Sequence, residues 1–244
     1  MKKFLIGVPV TPQTYYRCIG LLDLLCKTLP EKNLYADLFI YCRFDSDMPH
    51  PNLLKNLDRF FNKVWCIHAG PRFIQMLQND NFAYPWLFKY VHSALNNPQM
   101  FPDILNYDAL FILEKDSCPI DKDWLPKLYR EYQETGSKTL GAWNHDNMIH
   151  GNITDCVGYI HQAAIYSMDL IRSVPELSDP LVSQPWDLHV APFLLQNGWQ
   201  GTYMMKNFHK AEKLDCKTLS EEHCVLVHGV ADDSARNYFL KQHE

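Results

Sequence analysis

The sequence predicts an α/β fold built on a mostly parallel sheet, and three observations carry that prediction. Compact apolar runs of strand length alternate with stretches of helical spacing through the first half of the chain. Three of those strands end in polar residues, at the sheet edge where open α/β folds bind ligands. The chain has 244 residues, 47% of them apolar, enough for one domain with a sizeable core.

Phe4 to Val10 reads as the first strand and ends at the turn Thr11-Pro12. Ile19, Leu22, Leu25, Cys26 and Leu29 give Tyr15 to Leu29 a helical period. Asp37 to Cys42 forms a second strand that ends at Arg43-Phe44-Asp45-Ser46-Asp47. A helix is expected over Asn52 to Phe61, a short strand over Val64 to Ile67, and a helix carrying Lys89 over Tyr84 to Leu95. Ala109 to Leu113 is the clearest buried strand, and it delivers Glu114-Lys115-Asp116. Asp121 or Asp123 is placed to cap a helix from Trp124 to Gln133, which Gly136 ends. Further on, Val157 to Tyr166 reads as strand, Trp186 to Gln196 as helix and Gly201 to Met205 as strand. Cys224 to Val227 is a last short strand leading to His228-Gly229, before a helix capped by Asp232 or Asp233 and running to about Gln242.

Composition narrows the function. The net charge is −5, from 23 basic and 28 acidic residues, with no basic stripe to neutralise a nucleic-acid backbone. A nucleotide in a pocket remains compatible with that balance. The apolar stretch after Lys2-Lys3 is short and contains Pro9, so it reads as a buried strand and not a signal peptide. No run reaches the roughly 20 apolar residues of a membrane span. Eight cysteines include no Cys-x-x-Cys pair, so reduced thiols and a cytoplasmic setting are expected.

Glu114 and Asp116, one residue apart at a strand end, suit a hard cation such as Mg²⁺ or Mn²⁺; two acids opening a solvated loop is the simpler alternative. His228 can join them if a neighbour orients its neutral imidazole. Asp187 can cap the helix from Trp186, and Trp186 can fill the core. The histidine-rich segment Trp143 to Asn152 reads as a mobile acceptor loop.

The phrase Glu114-Lys115-Asp116-Ser117-Cys118-Pro119-Ile120, followed by Trp124-Leu125, resembles the metal-binding turn of GT-A glycosyltransferases. It is similar to the Glu-x-Asp…Pro…Trp-Leu phrase of small viral and bacterial glycosyltransferases. The segments Gly158 to Ser167, Pro185-Trp186-Asp187 and Val227 to Ser234 continue the resemblance in order, while the Lys-Pro-Trp ending of glycogenin-like enzymes is absent. The resemblance implies a Rossmann-like central sheet flanked by helices, with a smaller mixed C-terminal acceptor part. Residues 1–120 would form the nucleotide-binding half and residues 121–244 the acceptor half. It implies a Mn²⁺- or Mg²⁺-dependent transferase moving a sugar from a UDP- or GDP-sugar to a hydroxyl of a glycan, protein or small molecule. Asp116, Glu114 and His228 would hold the metal. Thr11, Arg43, Asp45, Lys89, Lys115 and Gly229 would bind the nucleotide, and Asp187 would be catalytic. His161, Gln162 and Trp186 would meet the acceptor or sugar. A transferase acting on modified DNA bases, a nucleotidyltransferase and a non-catalytic nucleotide-sugar- or glycan-binding module are the competing readings.

Overall fold

A computed structural model describes residues 2–42, 44–68, 83–144, 159–178, 186–230 and 232–242. Ten strands and eight α-helices are described in it. They run β1 (Lys3–Val10), α1 (Tyr15–Thr28), β2 (Ala36–Cys42), α2 (Pro51–Leu57), β3 (Val64–His68), α3 (Ala83–Asn96), β4 (Tyr107–Ile112) and β5 (Cys118–Pro119). After these come α4 (Trp124–Thr135), β6 (Thr139–Asn144), β7 (Tyr159–Ser167), α5 (Met168–Ser173), α6 (Trp186–Gln196) and β8 (Trp199–Thr202). The chain closes with β9 (Met205–Ala211), α7 (Cys216–Glu221), β10 (Leu226–Val230) and α8 (Ser234–Lys241).

Seven strands form the central sheet in the order β3-β2-β1-β4-β7-β6-β8. Only β7 runs against its neighbours, so the sheet is mostly parallel as the sequence predicts. Parallel strands need both faces covered, and alternating residues sort accordingly. Phe4, Ile6, Val8 and Val10 of β1 pack in one layer with α1, α4 and α8, while Leu5 packs in the other with α3, α5 and α6. Gly7 shares that second face: a Cβ there would lie 3.0 Å from Leu87 of α3 and 3.1 Å from Leu110. The missing side chain lets α3 sit close over the centre of the sheet.

A second, three-stranded sheet has the order β5-β10-β9, with β10 antiparallel to β5 and parallel to β9. This is the smaller mixed part. The expected strand from Gly201 to Met205 is corrected here. It is two strands in two sheets, because Trp199–Thr202 pairs with β6 whereas Met205 onwards pairs with β10. The break falls at Met204, whose carbonyl accepts the amides of Val225 and Leu226. Strand β6 went unread because its glycine-containing segment gains its order from β7 and β8 on either side. Trp143 and Asn144 therefore end a strand, and the remainder of the expected acceptor loop, 145–152, lies outside the described residues.

The capping expectations meet mixed outcomes. Gly136 ends α4 at φ +59°, as a left-handed cap should. Asp123 precedes α4 but makes no side-chain cap; Asp121 instead accepts the Asp123 amide at 2.8 Å and holds Lys127 at 2.6 Å. Asp232 accepts the amide of Ser234 at 3.0 Å where α8 begins. The seven described cysteines are free thiols. No described helix is long and apolar enough to cross a membrane.

Gly7→Val should force Leu87 and Leu110 aside and lower stability by about 1–3 kcal/mol. In urea titrations the midpoint should fall with an unchanged slope; an unchanged midpoint would show that α3 does not depend on this close approach.

Candidate metal centre

Strands β2, β1 and β4 are adjacent and parallel, so the polar residues after them emerge along one edge of the sheet. Leu113 continues the path of β4 by donating its amide to the Gly7 carbonyl at 3.0 Å. The chain then turns sharply. The Glu114 amide donates to the Ser117 hydroxyl at 3.0 Å, and the Ser117 amide donates to the Glu114 carbonyl at 2.9 Å. Directly afterwards Cys118 of β5 pairs with Val227 of β10. The short turn thus bridges the two sheets, and the pairing brings His228 to the carboxylates from the far end of the sequence.

The resulting cluster is tight. His228 Nε2 lies 2.8 Å from Asp116 Oδ1 and 3.2 Å from Glu114 Oε2. The side chains of His228 and Glu114 are 8% and 5% exposed, whereas Asp116, at 20%, opens to solvent. On the opposite side of the ring, His228 Nδ1 is 2.7 Å from Asn207 Oδ1 on β9. Tyr84 of α3 hydrogen-bonds to the Glu114 side chain, and burial together with the Glu114 charge raises its pKa well above normal. Both sheets and one helix layer therefore contribute to the cluster.

Burial of the imidazole disfavours its charge, but the charges of Glu114 and Asp116 and their hydrogen bonds prevail, pushing its pKa up to about 10. Asp116 responds in the opposite sense. Burial would raise its pKa, yet the hydrogen bond and charge of His228 hold it below the usual carboxylate value. Without an ion, the ring is a buried imidazolium clasped by carboxylates.

The donor set suits a divalent ion. One ligand atom from each of Glu114, Asp116 and His228 lies within 4.8 Å of the others. Adjacent ligands about 2.1 Å from an octahedral ion stand roughly 3.0 Å apart. The 2.8 and 3.2 Å separations are those of hydrogen bonds between the ring and the carboxylates, and the same atoms stand near enough to share an ion. Two carboxylates with one imidazole favour Mg²⁺ or Mn²⁺ over thiolate-seeking metals. No other such group occurs among the described residues.

A cleft of about 320 Å³ adjoins Asp116, between α1, α8 and the acidic turn. Arg17, Lys115 and Arg236 line it, alongside Asp232 and Asp233. Lys115 was read from the sequence; the two arginines, Asn207 and Tyr84 were not. Arg17 and Arg236 are remote in sequence and meet only because α1 packs beside α8, so no local pattern marks them.

The remaining candidates fall elsewhere. Thr11 is buried at the end of β1 with its hydroxyl 3.0 Å from that of Thr14. Asp45 is exposed and pairs with His68 at 3.0 Å. Lys89 is exposed on α3 with its ammonium 4.9 Å from the Trp86 ring centre, and it does not line the cleft. Gly229 has φ +79°, and a Cβ there would come within 1.7 Å of the Phe208 carbonyl oxygen. Its bare backbone therefore serves the close approach of β9. The expectation that Trp186 stacks on a sugar needs correction: the ring is 1% exposed, stacked 4.7 Å from Phe88, and its Nε1 donates to the Leu177 carbonyl. Both faces are committed to the core. Arg43 lies outside the described residues, as do the side chains of His161, Gln162 and Asp187. The backbone of Asp187 is in the first turn of α6, one residue inside the helix.

No protein-family profile and no curated protein matches the sequence. Solved structures do match it. An active-site mutant of LgtC superimposes with a TM-score of 0.59 at 11% identity, over 98% of this chain and 95% of that one. For S. aureus TarS, residues 1–349, the TM-score is 0.52 at 12% identity, over 82% of this chain but only 57% of that one. For the apo form of mouse xyloside xylosyltransferase 1 the values are 0.51 and 11%, over 94% and 98%. The chain thus spans little more than half of the TarS fragment. With the mostly parallel sheet and its flanking helices, these likenesses identify the GT-A fold.

The raised pKa of His228 gives stability a definite pH dependence. Its protonated form is favoured by folding, so the contribution is full below the ordinary value of 6.5 and is lost as pH rises through about 10. In chelator-treated protein, the melting temperature should fall between pH 7 and 10, and His228→Gln should flatten that decline. Equal slopes for the two proteins would contradict the buried imidazolium.

Proposed function

We propose that the protein is a metal-dependent glycosyltransferase that moves a sugar from a nucleoside-diphosphate donor to an acceptor hydroxyl. One observation carries the reading: in a GT-A fold, Glu114, Asp116 and His228 converge at the ligand-binding edge of the sheet, with one ligand atom from each within 4.8 Å of the others. The residues fit Mn²⁺ or Mg²⁺, with Asp116 and His228 as the principal ligands and Glu114 as the third.

The chemical demand of such a reaction is to neutralise the diphosphate as the glycosidic bond breaks. A bound divalent ion supplies Lewis-acid stabilisation of that leaving group. The chain supplies the rest. Arg17, Lys115 and Arg236 line the cleft beside Asp116 and would pair with the phosphate oxygens. Thr11 and Asp45, after β1 and β2, are proposed to meet the nucleoside along the same sheet edge, and Arg43 is a further proposed nucleotide contact. Residues 1–120 would then hold the nucleotide and 121–244 the acceptor. Asp187 is the proposed carboxylate near the anomeric carbon. It would act as general base on the acceptor hydroxyl if the enzyme inverts, and would orient the sugar if it retains. His161 and Gln162, on β7, are proposed acceptor contacts.

A panel of nucleotide sugars tested by thermal shift, with and without Mn²⁺, should yield a donor that raises the melting temperature only with the metal present. That donor should be turned over with release of its nucleoside diphosphate. Asp116→Asn should abolish the metal-dependent shift and cut turnover on the order of 100-fold or more, the scale of losing a group that stabilises developing charge. Binding that ignores both metal and Asp116 would overturn the reading, and metal-dependent binding without turnover would favour a non-catalytic module.

A further inference from the structure

We infer that Asn207 is a positioning residue for the metal centre, locking the His228 ring so that Nε2, and not a carbon, faces Glu114 and Asp116. The inference rests on the metal reading of the cluster and deepens it, because Asn207 holds the side of the ring that the acidic turn does not touch.

An imidazole ring turned by 180° about its outer bond occupies nearly the same volume, so packing alone discriminates weakly between the two poses. Hydrogen bonds discriminate strongly. Asn207 and His228 are direct register partners on the parallel strands β9 and β10, and Asn207 Oδ1 lies 2.7 Å from Nδ1. An amide oxygen can only accept, so Nδ1 carries its hydrogen. In the turned pose Oδ1 would face a C–H group, and another C–H group would face the carboxylates. Both polar contacts would be lost inside a site where the ring is only 8% exposed. With Nδ1–H committed to Asn207, the neutral ring presents its lone pair at Nε2, which is the form a cation needs.

Gly229 makes the contact possible. The β9–β10 register shifts between His228 and Val230, and a Cβ on Gly229 would stand 3.2 Å from Asn207 Oδ1 and 1.7 Å from the Phe208 carbonyl oxygen. The glycine thus lets β9 close onto β10 beside the histidine. No local pattern around Asn207 signals this role, since it sits in an ordinary strand segment, Met205–Ala211.

The test is Mn²⁺ binding to the full-length chain without nucleotide, read from the free-ion electron paramagnetic resonance signal. Asn207→Ala should weaken Mn²⁺ binding by about 10–100-fold. Asn207→Asp, which retains an acceptor for Nδ1–H, should restore most of the affinity. If Asn207→Ala stays within about twofold of wild type while Asp116→Asn abolishes binding, the positioning role is wrong and the metal site stands. If wild type binds no Mn²⁺, the metal reading fails and this inference with it. A second readout needs no substitution: ¹⁵N–¹H spectra of Mg²⁺-saturated wild type should show His228 protonated at Nδ1 alone. Protonation at Nε2 would overturn the assignment even if the variants fail to fold.

Discussion

The contact between His228 and the two acids of the 114–116 turn fixes how the two sheets meet. It joins residues more than a hundred positions apart, and it ties the central sheet to the small one. Two carboxylates and an imidazolium leave the cluster with one negative charge in a mostly buried place. A divalent cation with a neutral imidazole would bring that sum to zero. Breaking such a cluster by removing one member leaves uncompensated buried charge, which is more costly than never having built it. A divalent ion, as the proposed function requires, would complete the arrangement electrostatically.

The surrounding elements each supply part of that arrangement. The β4 strand holds the turn from below, and β5 pairs with β10 immediately after it, so one short connection fixes both donors relative to the histidine. Helix α3 reaches across from the second face with Tyr84, and β9 reaches in with Asn207. The cleft lies outside Asp116, the most open of the three side chains, and carries its positive charge on α1, α8 and Lys115. Two of the three cleft cations, Arg17 and Arg236, thus lie on helices outside the acidic turn, while Lys115 sits within it.

Much of this was legible in the sequence wherever the signal was local. Five apolar residues ahead of Glu114 made β4 readable, and helical periodicity placed α1, α3, α4 and α6 with small errors at their ends. The meeting of Glu114, Asp116 and His228 was legible because an acidic pair after a strand and a late His-Gly resemble a known pattern. Other parts depend on contacts that sequence spacing does not encode. Strand β6 is ordered by its neighbours, and Asn207 matters only because β9 pairs with β10. Arg17 and Arg236 meet only across α1 and α8. Trp186 shows the converse error: an aromatic next to a candidate acid suggested a sugar contact, but Phe88 and the Leu177 carbonyl claim the ring for the core.

The proposed function requires one divalent ion between Glu114, Asp116 and His228. Anomalous diffraction at the manganese edge, from crystals grown with Mn²⁺ and a nucleoside diphosphate, measures this most directly. The account predicts a single strong peak within about 2.5 Å of Asp116 and of His228 Nε2, with the phosphates on the side of the cleft that bears Arg17 and Lys115. A peak at other residues, or a bound nucleotide with no metal peak beside Asp116, would contradict it.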